Sequence, residues 1–160
     1  MKKLNLLGTM LLGLLVLSTI SCKKSTTSGS GSGSLTGSWS LVNAKVEMLS
    51  GSTVVTSGTV TRAQIDADPV TYADLQFFKS LTFTSSTVTN GTGSTINYTI
   101  KTGTDGNKYF VETGSADTDP DDRLYFYFEG GNLRIYNTQP GSPVAGSPTT
   151  QKVTMYYNKV

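Results

Sequence analysis

From Leu35 to the C-terminus, apolar and polar side chains alternate along short segments that end at glycine, asparagine or aspartate. A period of two sends successive side chains to opposite faces of a strand, so each segment has one apolar face. Eight strands are predicted, at residues 37–49, 52–62, 80–90, 94–102, 107–113, 123–129, 132–138 and 151–160. The alternation therefore predicts an all-β domain.

The turns between these segments predict how the strands are connected. Residues 90–93 read Asn-Gly-Thr-Gly, residues 105–106 read Asp-Gly and residues 129–132 read Glu-Gly-Gly-Asn. Such residues tolerate positive φ and form hairpin turns, and strands joined by tight turns must be antiparallel. Eight antiparallel strands in hairpin order favour a closed up-and-down barrel, which leaves no exposed edge. A β-sandwich is the alternative, although it usually needs Greek-key connections.

Two stretches depart from simple alternation. In the first strand, Trp39 and Leu41 have one parity and Val42 and Ala44 the other, so a bulge or bend near Leu41–Asn43 is expected. Residues 61–78 are the best helical candidate, but Pro69 limits any helix there. We expect a long loop with a turn of helix on either side of that proline.

The strand parity assigns a bulky set of side chains to the interior of the barrel. A barrel of eight strands has room for little more than its own side chains or one small ligand, so we expect a filled interior rather than a cavity. A void larger than about 300 Å³ would instead indicate a ligand pocket. The candidate ligand-binding residues of this inward set are Trp39, Phe83, Tyr98, Phe126, Phe128 and Met155.

The opposite parity of the last three strands carries tyrosines, at positions 125, 127, 136 and 156. If Tyr125, Tyr127, Tyr136 and Tyr156 share the outer face, they form an aromatic patch of the kind that contacts sugars or proteins. The alternative is cross-strand aromatic pairing that only stabilises the sheet.

The N-terminus is typical of an exported lipoprotein. Residues 1–21 combine Lys2-Lys3, an apolar stretch too short to span a bilayer comfortably, and small residues before Cys22. The sequence Thr19-Ile20-Ser21-Cys22 resembles a loose lipobox, which implies cleavage before Cys22 and acylation of that residue. Residues 22–34 then form the lipidated cysteine with a flexible Gly/Ser tether, and residues 35–160 form the folded domain.

The composition excludes several classes of function. The chain has no histidine and no cysteine besides Cys22, which removes disulfides, thiolate metal sites and the commonest general base. Two of the 13 basic residues lie in residues 1–21, which leaves 11 against 11 acidic residues and no basic footprint for nucleic acid. Asp117, Asp119 and Asp121 alternate as in a calcium loop, but Phe128 occupies the twelfth position, where an EF-hand has glutamate. We therefore expect a solvated acidic loop, no metal, no cofactor and no enzymatic activity.

Three stretches resemble one known family. These are LTGSWSLV at residues 35–42, with its Gly37-Ser38-Trp39, SLTFTSSTVTNGTGS at 80–94 and VTMYYNKV at 153–160. They resemble the lipocalin-like domains of lipoproteins from Bacteroidota. The resemblance implies an eight-stranded barrel with Trp39 packed at its closed end, and classical lipocalins carry small apolar ligands inside such barrels.

Two functional hypotheses follow from these observations. The first is a monomeric, lipid-anchored, non-enzymatic domain that binds a small apolar ligand. The second is a structural or interaction module that uses the tyrosine face, or the long loops at 62–79 and 139–151, to contact an envelope protein or glycan. The expected location is the bacterial outer membrane. Lys23-Lys24-Ser25 after the cysteine favours the periplasmic side, with the cell surface as the alternative.

Overall fold

A computed structural model describes residues 33–117, 123–144 and 147–160. Within these ranges the chain forms nine strands and two short helices. The strands are β1 (Gly37–Ser50), β2 (Thr53–Thr61), β3 (Ser80–Phe83), β4 (Thr87–Asn90), β5 (Thr95–Thr102), β6 (Lys108–Glu112), β7 (Leu124–Glu129), β8 (Asn132–Val144) and β9 (Ser147–Lys159). The helices are α1 (Arg62–Ala67) and α2 (Ala73–Phe77). Neither helix has the length and apolar content to cross a bilayer.

Eight of the strands close into an antiparallel barrel, as the alternation and turns predicted. Strands β3 to β9 pair in sequence order, and β1 pairs with both β3 and β9 to close the wall. The set of strands that form the wall differs from the prediction in two ways. The segment at 80–90 is a hairpin of two strands, because residues 84–86 turn between them. The segment at 52–62 contains β2, which lies outside the closed wall.

Strand β1 pairs with β2 as well as with β3 because it continues beyond the residues that pair with β3. Its first residues, Gly37–Ser40, pair with β3, whereas Asn43–Ser50 pair with β2 along the same edge. The change of partner coincides with a register shift between Leu41 and Asn43 against β9, which confirms the predicted bulge. The bulge lets Leu41 and Ala44 both point inward, where they are 2% and 0% exposed.

The segment between β2 and β3 holds two helices on either side of Pro69, as predicted. Thr61 and Gln64 form a capping box that begins α1. Ile65 in α1 and Leu75 in α2 are buried in the core of the barrel. The hydroxyl of Tyr157 on β9 donates a hydrogen bond of 3.0 Å to the carbonyl oxygen of Phe78, so β9 holds the end of α2.

The prediction of a long loop at 139–151 is wrong, because β8 and β9 extend into one long hairpin. Residues 139–144 and 147–151 belong to these strands, and the register shifts between Gly141 and Val144. Strand β8 pairs with β7 only up to Tyr136, so its outer edge beyond that point has no described partner strand. Prolines are tolerated at such an edge because no ladder hydrogen bond is lost there. Strand β8 continues through Pro140 to Val144.

The two ends of the barrel differ. One end, here called the closed end, holds the start of β1 and the turns β3–β4, β5–β6 and β7–β8. Trp39 fills it: the indole is 1% exposed, lies 6.0 Å from the Phe128 ring and donates from Nε1 to the carbonyl oxygen of Leu35 at 2.7 Å. A Cβ on Gly33 would overlap the Phe128 ring, so the backbone before β1 lies directly against the closed end. The opposite end, here called the open end, holds α1, α2 and residues 113–117, which follow β6.

Candidate functional site: a cavity at the open end of the barrel

The interior of the barrel is packed on one side and hollow on the other. A cavity of about 450 Å³ lies between β3–β7 and the end of α2. This finding corrects the expectation of a filled interior, and the volume exceeds the lower limit of ligand pockets, about 300 Å³. The cavity is lined by Phe77, Phe78, Leu81, Phe83, Val88, Asn90, Ile96, Tyr98, Phe110, Val111, Glu112, Ser115, Ala116, Asp117, Arg123, Leu124 and Ile135.

The position of the cavity follows from where the helices pack. Helix α1 lies against β1 and β2, and its Ile65 is fully buried together with Leu41 and Ala44. The helical segment therefore fills the β1 side of the open end. Helix α2 ends at Phe77 and Phe78, and the chain enters β3 directly afterwards. Phe77 and Phe78 both line the cavity, together with residues of β4, β5 and β6.

The inner wall of the cavity is an aromatic cluster with fixed geometry. Phe83 stacks on Phe110 with ring centroids 5.4 Å apart, and both rings meet Tyr98 edge to face, at 5.7 and 5.4 Å. The Tyr98 hydroxyl donates to the carbonyl oxygen of Thr84 at 2.9 Å, which satisfies its polar atom. Phe110 also stacks on Phe126 at 4.5 Å. Such contacts stabilise the cluster beyond simple burial, so this wall is preformed.

The rim of the cavity carries one fixed ion-pair cluster. Asp117 accepts from Arg123 Nε at 3.0 Å, from Lys101 Nζ at 3.1 Å and from the Tyr109 hydroxyl at 2.9 Å. Burial opposes ionisation of Asp117, but the hydrogen bonds from Tyr109, Lys101 and Arg123 outweigh it and lower the pKa of the carboxyl. The Arg123 guanidinium also lies over the Tyr109 ring, 4.6 Å from its centroid. Arg123 and Asp117 are therefore already paired with each other.

Asn90 is the polar residue that stands out in the lining. Its Oδ1 accepts from the backbone N–H of Thr92 and of Ser94, both at 3.0 Å, and from the Thr92 hydroxyl at 2.8 Å. These donors fix the orientation of the amide in the β4–β5 turn. Its Nδ2 is buried and has no hydrogen-bond partner among the described residues. The whole residue is 7% exposed.

The six predicted ligand-binding residues separate into two groups in the structure. Phe83 and Tyr98 line the cavity. The other four are buried in the packed core and do not line it, namely Trp39, Phe126, Phe128 and Met155. Phe110 and Asn90 were missed. The parity of Lys108–Glu112 could have identified Phe110 as inward, whereas nothing in the sequence distinguishes Asn90 from an ordinary turn residue.

The predicted tyrosine patch forms a row of paired rings across neighbouring strands. Tyr109, Tyr125 and Tyr136 are register partners on β6, β7 and β8. The centroids of Tyr125 and Tyr136 are 5.2 Å apart with nearly parallel rings, and those of Tyr109 and Tyr125 are 5.4 Å apart. Tyr127 meets Tyr136 edge to face at 6.1 Å. These contacts are cross-strand aromatic pairing.

Cations cover part of this tyrosine face. Lys152 Nζ lies 4.6 Å from the centroid of Tyr136, and the Arg134 guanidinium lies 4.7 Å from that of Tyr156. All four patch tyrosines are only partly exposed. Burial raises the pKa of Tyr136 to about 12. The geometry thus favours the structural interpretation of the tyrosines over that of an open binding patch.

The predicted acidic loop lies partly outside the described residues, since Asp119 and Asp121 fall within 118–122. Asp117 is described and belongs to the ion-pair cluster at the rim. Among the residues the structure describes, no group of three or more acidic, histidine or cysteine side chains is placed to hold a metal ion.

Comparisons of the chain with protein-family models, with curated proteins and with solved structures found no match.

Proposed function

We propose that this protein is a lipid-anchored, lipocalin-like barrel of the bacterial cell envelope that binds a small apolar molecule without transforming it. The single observation that supports this proposal best is the cavity of about 450 Å³ at the open end. It lies within the range of about 300–1,000 Å³ that is typical of small-molecule pockets.

The lining of the cavity defines the kind of molecule that it suits. Most lining side chains are aromatic or aliphatic, and the inner wall consists of Phe83, Tyr98 and Phe110. An apolar ligand that leaves water for this wall gains roughly 25 cal/mol for each Å² of apolar surface buried. At about 30 Å³ per water-sized group, the volume corresponds to on the order of fifteen non-hydrogen atoms.

The ionisable groups at the cavity favour binding over catalysis. Among the described lining residues, the charged side chains are Glu112, Asp117 and Arg123. Asp117 and Arg123 are paired with each other, and Asp117 is held ionised by its donors. A general acid or base near neutral pH needs a carboxyl pKa raised toward 7, and the pKa of Asp117 is shifted in the opposite direction.

The cavity rim and the point where the chain enters the barrel lie at opposite ends, which is consistent with an N-terminal anchor. The chain enters the barrel at the closed end, where Gly33 lies against Phe128. The cavity rim, with Glu112 and Asp117, lies at the opposite end of the strands. An acylated Cys22 would therefore tether the barrel by its closed end and leave the rim accessible from the periplasm or, in the alternative location, from outside the cell.

Titration with a neutral fluorescent dye tests the binding proposal. N-phenyl-1-naphthylamine is added to the mature chain, residues 22–160, and to two variants with the same substitution. Val88→Trp places an indole in the cavity, whereas Val54→Trp places one on the exposed face of β2, where Val54 is 46% exposed. We expect saturable binding to the unmodified chain and to Val54→Trp, and loss of binding in Val88→Trp. Equal binding by both variants, or none by the unmodified chain, would contradict the proposal.

The anchor has a separate test. Mass spectrometry of the N-terminal peptide of the mature protein is expected to show diacylglycerol and an acyl chain on Cys22. In a Cys22→Ser variant the protein is expected to leave the membrane fraction. An unmodified Cys22 in the membrane-bound protein would refute lipid anchoring, while the cavity proposal would be unaffected.

A further inference from the structure

Glu112 projects from the inner wall of the barrel at the mouth of the cavity. Its register partner on β5 is Tyr98, which is buried in the core and lines the cavity. Register partners in an antiparallel pair share a face, and so do residues two apart on one strand, such as Phe110 and Glu112. The Glu112 side chain therefore leaves β6 on the same face as the aromatic wall. Glu112 lines the cavity and is exposed, so a ligand can reach its carboxylate.

No lysine or arginine of the described residues forms an ion pair with this carboxylate. Glu112 Oε2 accepts a long hydrogen bond of 3.4 Å from the Ser115 hydroxyl. The other carboxylate of the lining, that of Asp117, is paired with both Arg123 and Lys101. Glu112 is therefore the charged group of the described lining that is left without a counter-ion.

An anionic head group would find no comparable partner at the mouth. Arg123 is the only cation among the described lining residues, its Nε donates to Asp117 and its guanidinium lies over the Tyr109 ring. A ligand carboxylate would compete with Asp117 for Arg123, and Glu112 would repel it. A ligand cation would instead meet an exposed carboxylate, so that pairing requires little loss of water from either group.

We propose that the ligand combines an apolar body with a cationic head, as an alkylamine does, and that Glu112 binds this head at the mouth of the cavity. The inference rests on the proposed function, because it specifies the ligand of the same cavity. The wall formed by Phe83, Tyr98 and Phe110 holds the apolar body, and Glu112 orients the head toward solvent. Small-molecule pockets are typically apolar with a few polar groups that fix the orientation of the ligand in this way.

Competition against bound N-phenyl-1-naphthylamine tests the inference with three eight-carbon probes on the unmodified mature chain. Octylammonium carries a cation, 1-octanol is neutral and octanoate carries an anion. Pairing at an exposed mouth is weak, so we expect octylammonium to bind only about fivefold more tightly than octanoate, with 1-octanol between them. Equal or tighter binding of octanoate would overturn the inference.

The Glu112→Gln variant removes the charge and keeps the shape of the side chain. Glu129→Gln is the matched control, since Glu129 is an exposed glutamate at the closed end and does not line the cavity. We expect Glu112→Gln to abolish the preference for octylammonium over octanoate without changing the affinity for 1-octanol, whereas Glu129→Gln should change neither. A preference that persists in Glu112→Gln would overturn the role of Glu112.

Salt dependence of the unmodified chain keeps the inference testable if Glu112→Gln does not fold. The Debye length falls from about 30 Å at 0.01 M salt to about 3 Å at 1 M, so an ion pair at the exposed mouth is screened. The ratio of the octylammonium and octanoate affinities should therefore approach one at high salt. A ratio that does not change with salt would contradict direct pairing with a charged group.

The outcomes separate the inference from the proposed function. If all three probes displace the dye regardless of their charge, the inference fails and the binding function stands. If the unmodified chain binds neither the dye nor any of the three probes, both fail together.

Discussion

The Tyr157→Phe substitution tests how the helical segment is held on the barrel. Tyr157 is completely buried on β9, and its hydroxyl donates to the carbonyl oxygen of Phe78 at 3.0 Å. It also contacts Met155 Sδ at 3.5 Å. Phe78 is both the residue that ends α2 and part of the cavity wall. This bond therefore joins the core of the barrel to the structure that bounds the site.

The size of the effect follows from what the substitution leaves behind. The aromatic ring is retained, so little packing is lost, but the carbonyl of Phe78 loses its buried donor. A buried acceptor left unpaired costs about 1–3 kcal/mol. Urea slopes for small domains are about 1–3 kcal/mol/M, so the unfolding midpoint should fall by on the order of 1 M with an unchanged slope.

Equilibrium urea unfolding followed by Trp39 fluorescence is the assay, since Trp39 is the only tryptophan and is 1% exposed. Tyr156→Phe is the control, because Tyr156 is the next residue, lies partly exposed on the outer face and should change stability by less than about 0.5 kcal/mol. If Tyr157→Phe and Tyr156→Phe unfold at the same urea concentration, the proposed link between β9 and the helical segment is wrong.

Three further predictions concern the outer face, the start of β1 and the cavity rim. Burial raises the pKa of the Tyr136 hydroxyl to about 12, against about 10 in the unfolded chain, so its contribution to stability is complete below pH 10 and is lost between pH 10 and 12. In alkaline unfolding, the free energy of unfolding of Tyr136→Phe should therefore fall less than that of the unmodified chain. The difference should be on the order of 1 kcal/mol after allowance for solvent screening. Gly37 has φ of 123°, so Gly37→Ala should lower the free energy of unfolding by about 1–3 kcal/mol. Gly58→Ala is the control and should have no such effect, because a Cβ there meets nothing within 4 Å. Equal effects of the two substitutions in thermal melts would refute this account. The hydrogen bonds to Asp117 lower its pKa, so its stabilising effect is present above about pH 4 and is lost as the pH falls through the pKa of the folded state. Asp117→Asn should therefore reduce the loss of the free energy of unfolding at acid pH. An unchanged dependence on acid pH would contradict the ion-pair cluster.

The fold was predictable because alternation and turn residues act locally. The parity of Leu124–Glu129 identified Phe126 and Phe128 as inward, and both are buried. Gly130 and Gly131 have positive φ in the predicted tight turn. The bulge at Leu41–Asn43 was visible as a change of parity within one strand. In each case a few neighbouring residues determine the conformation.

The cavity was not predictable, because its presence depends on how segments that are distant in the sequence pack together. The inward parity of Phe83 and Tyr98 could be derived, but whether the space beside them is filled depends on where α2 ends above the barrel. Asn90 accepts hydrogen bonds at Oδ1 in the β4–β5 turn, as an ordinary turn residue does. No local pattern in the sequence therefore indicates that its Nδ2 is buried without a partner among the described residues. The hairpin of β8 and β9 was missed because Pro140 and Gly141 are typical of a loop. Proline indicates a strand only at an edge without a partner strand, and the sequence alone does not show where such an edge lies.

Methyl NMR during titration with N-phenyl-1-naphthylamine tests most directly whether the cavity is a binding site. Leu81, Val88, Ile96 and Leu124 line the cavity, whereas Val54 and Val55 lie exposed on β2. We predict saturable shifts at the methyl groups of these four residues and of the other residues that line the cavity, with Val54 and Val55 unchanged. Uniform shifts, or shifts concentrated at Val54 and Val55, would contradict binding inside the barrel.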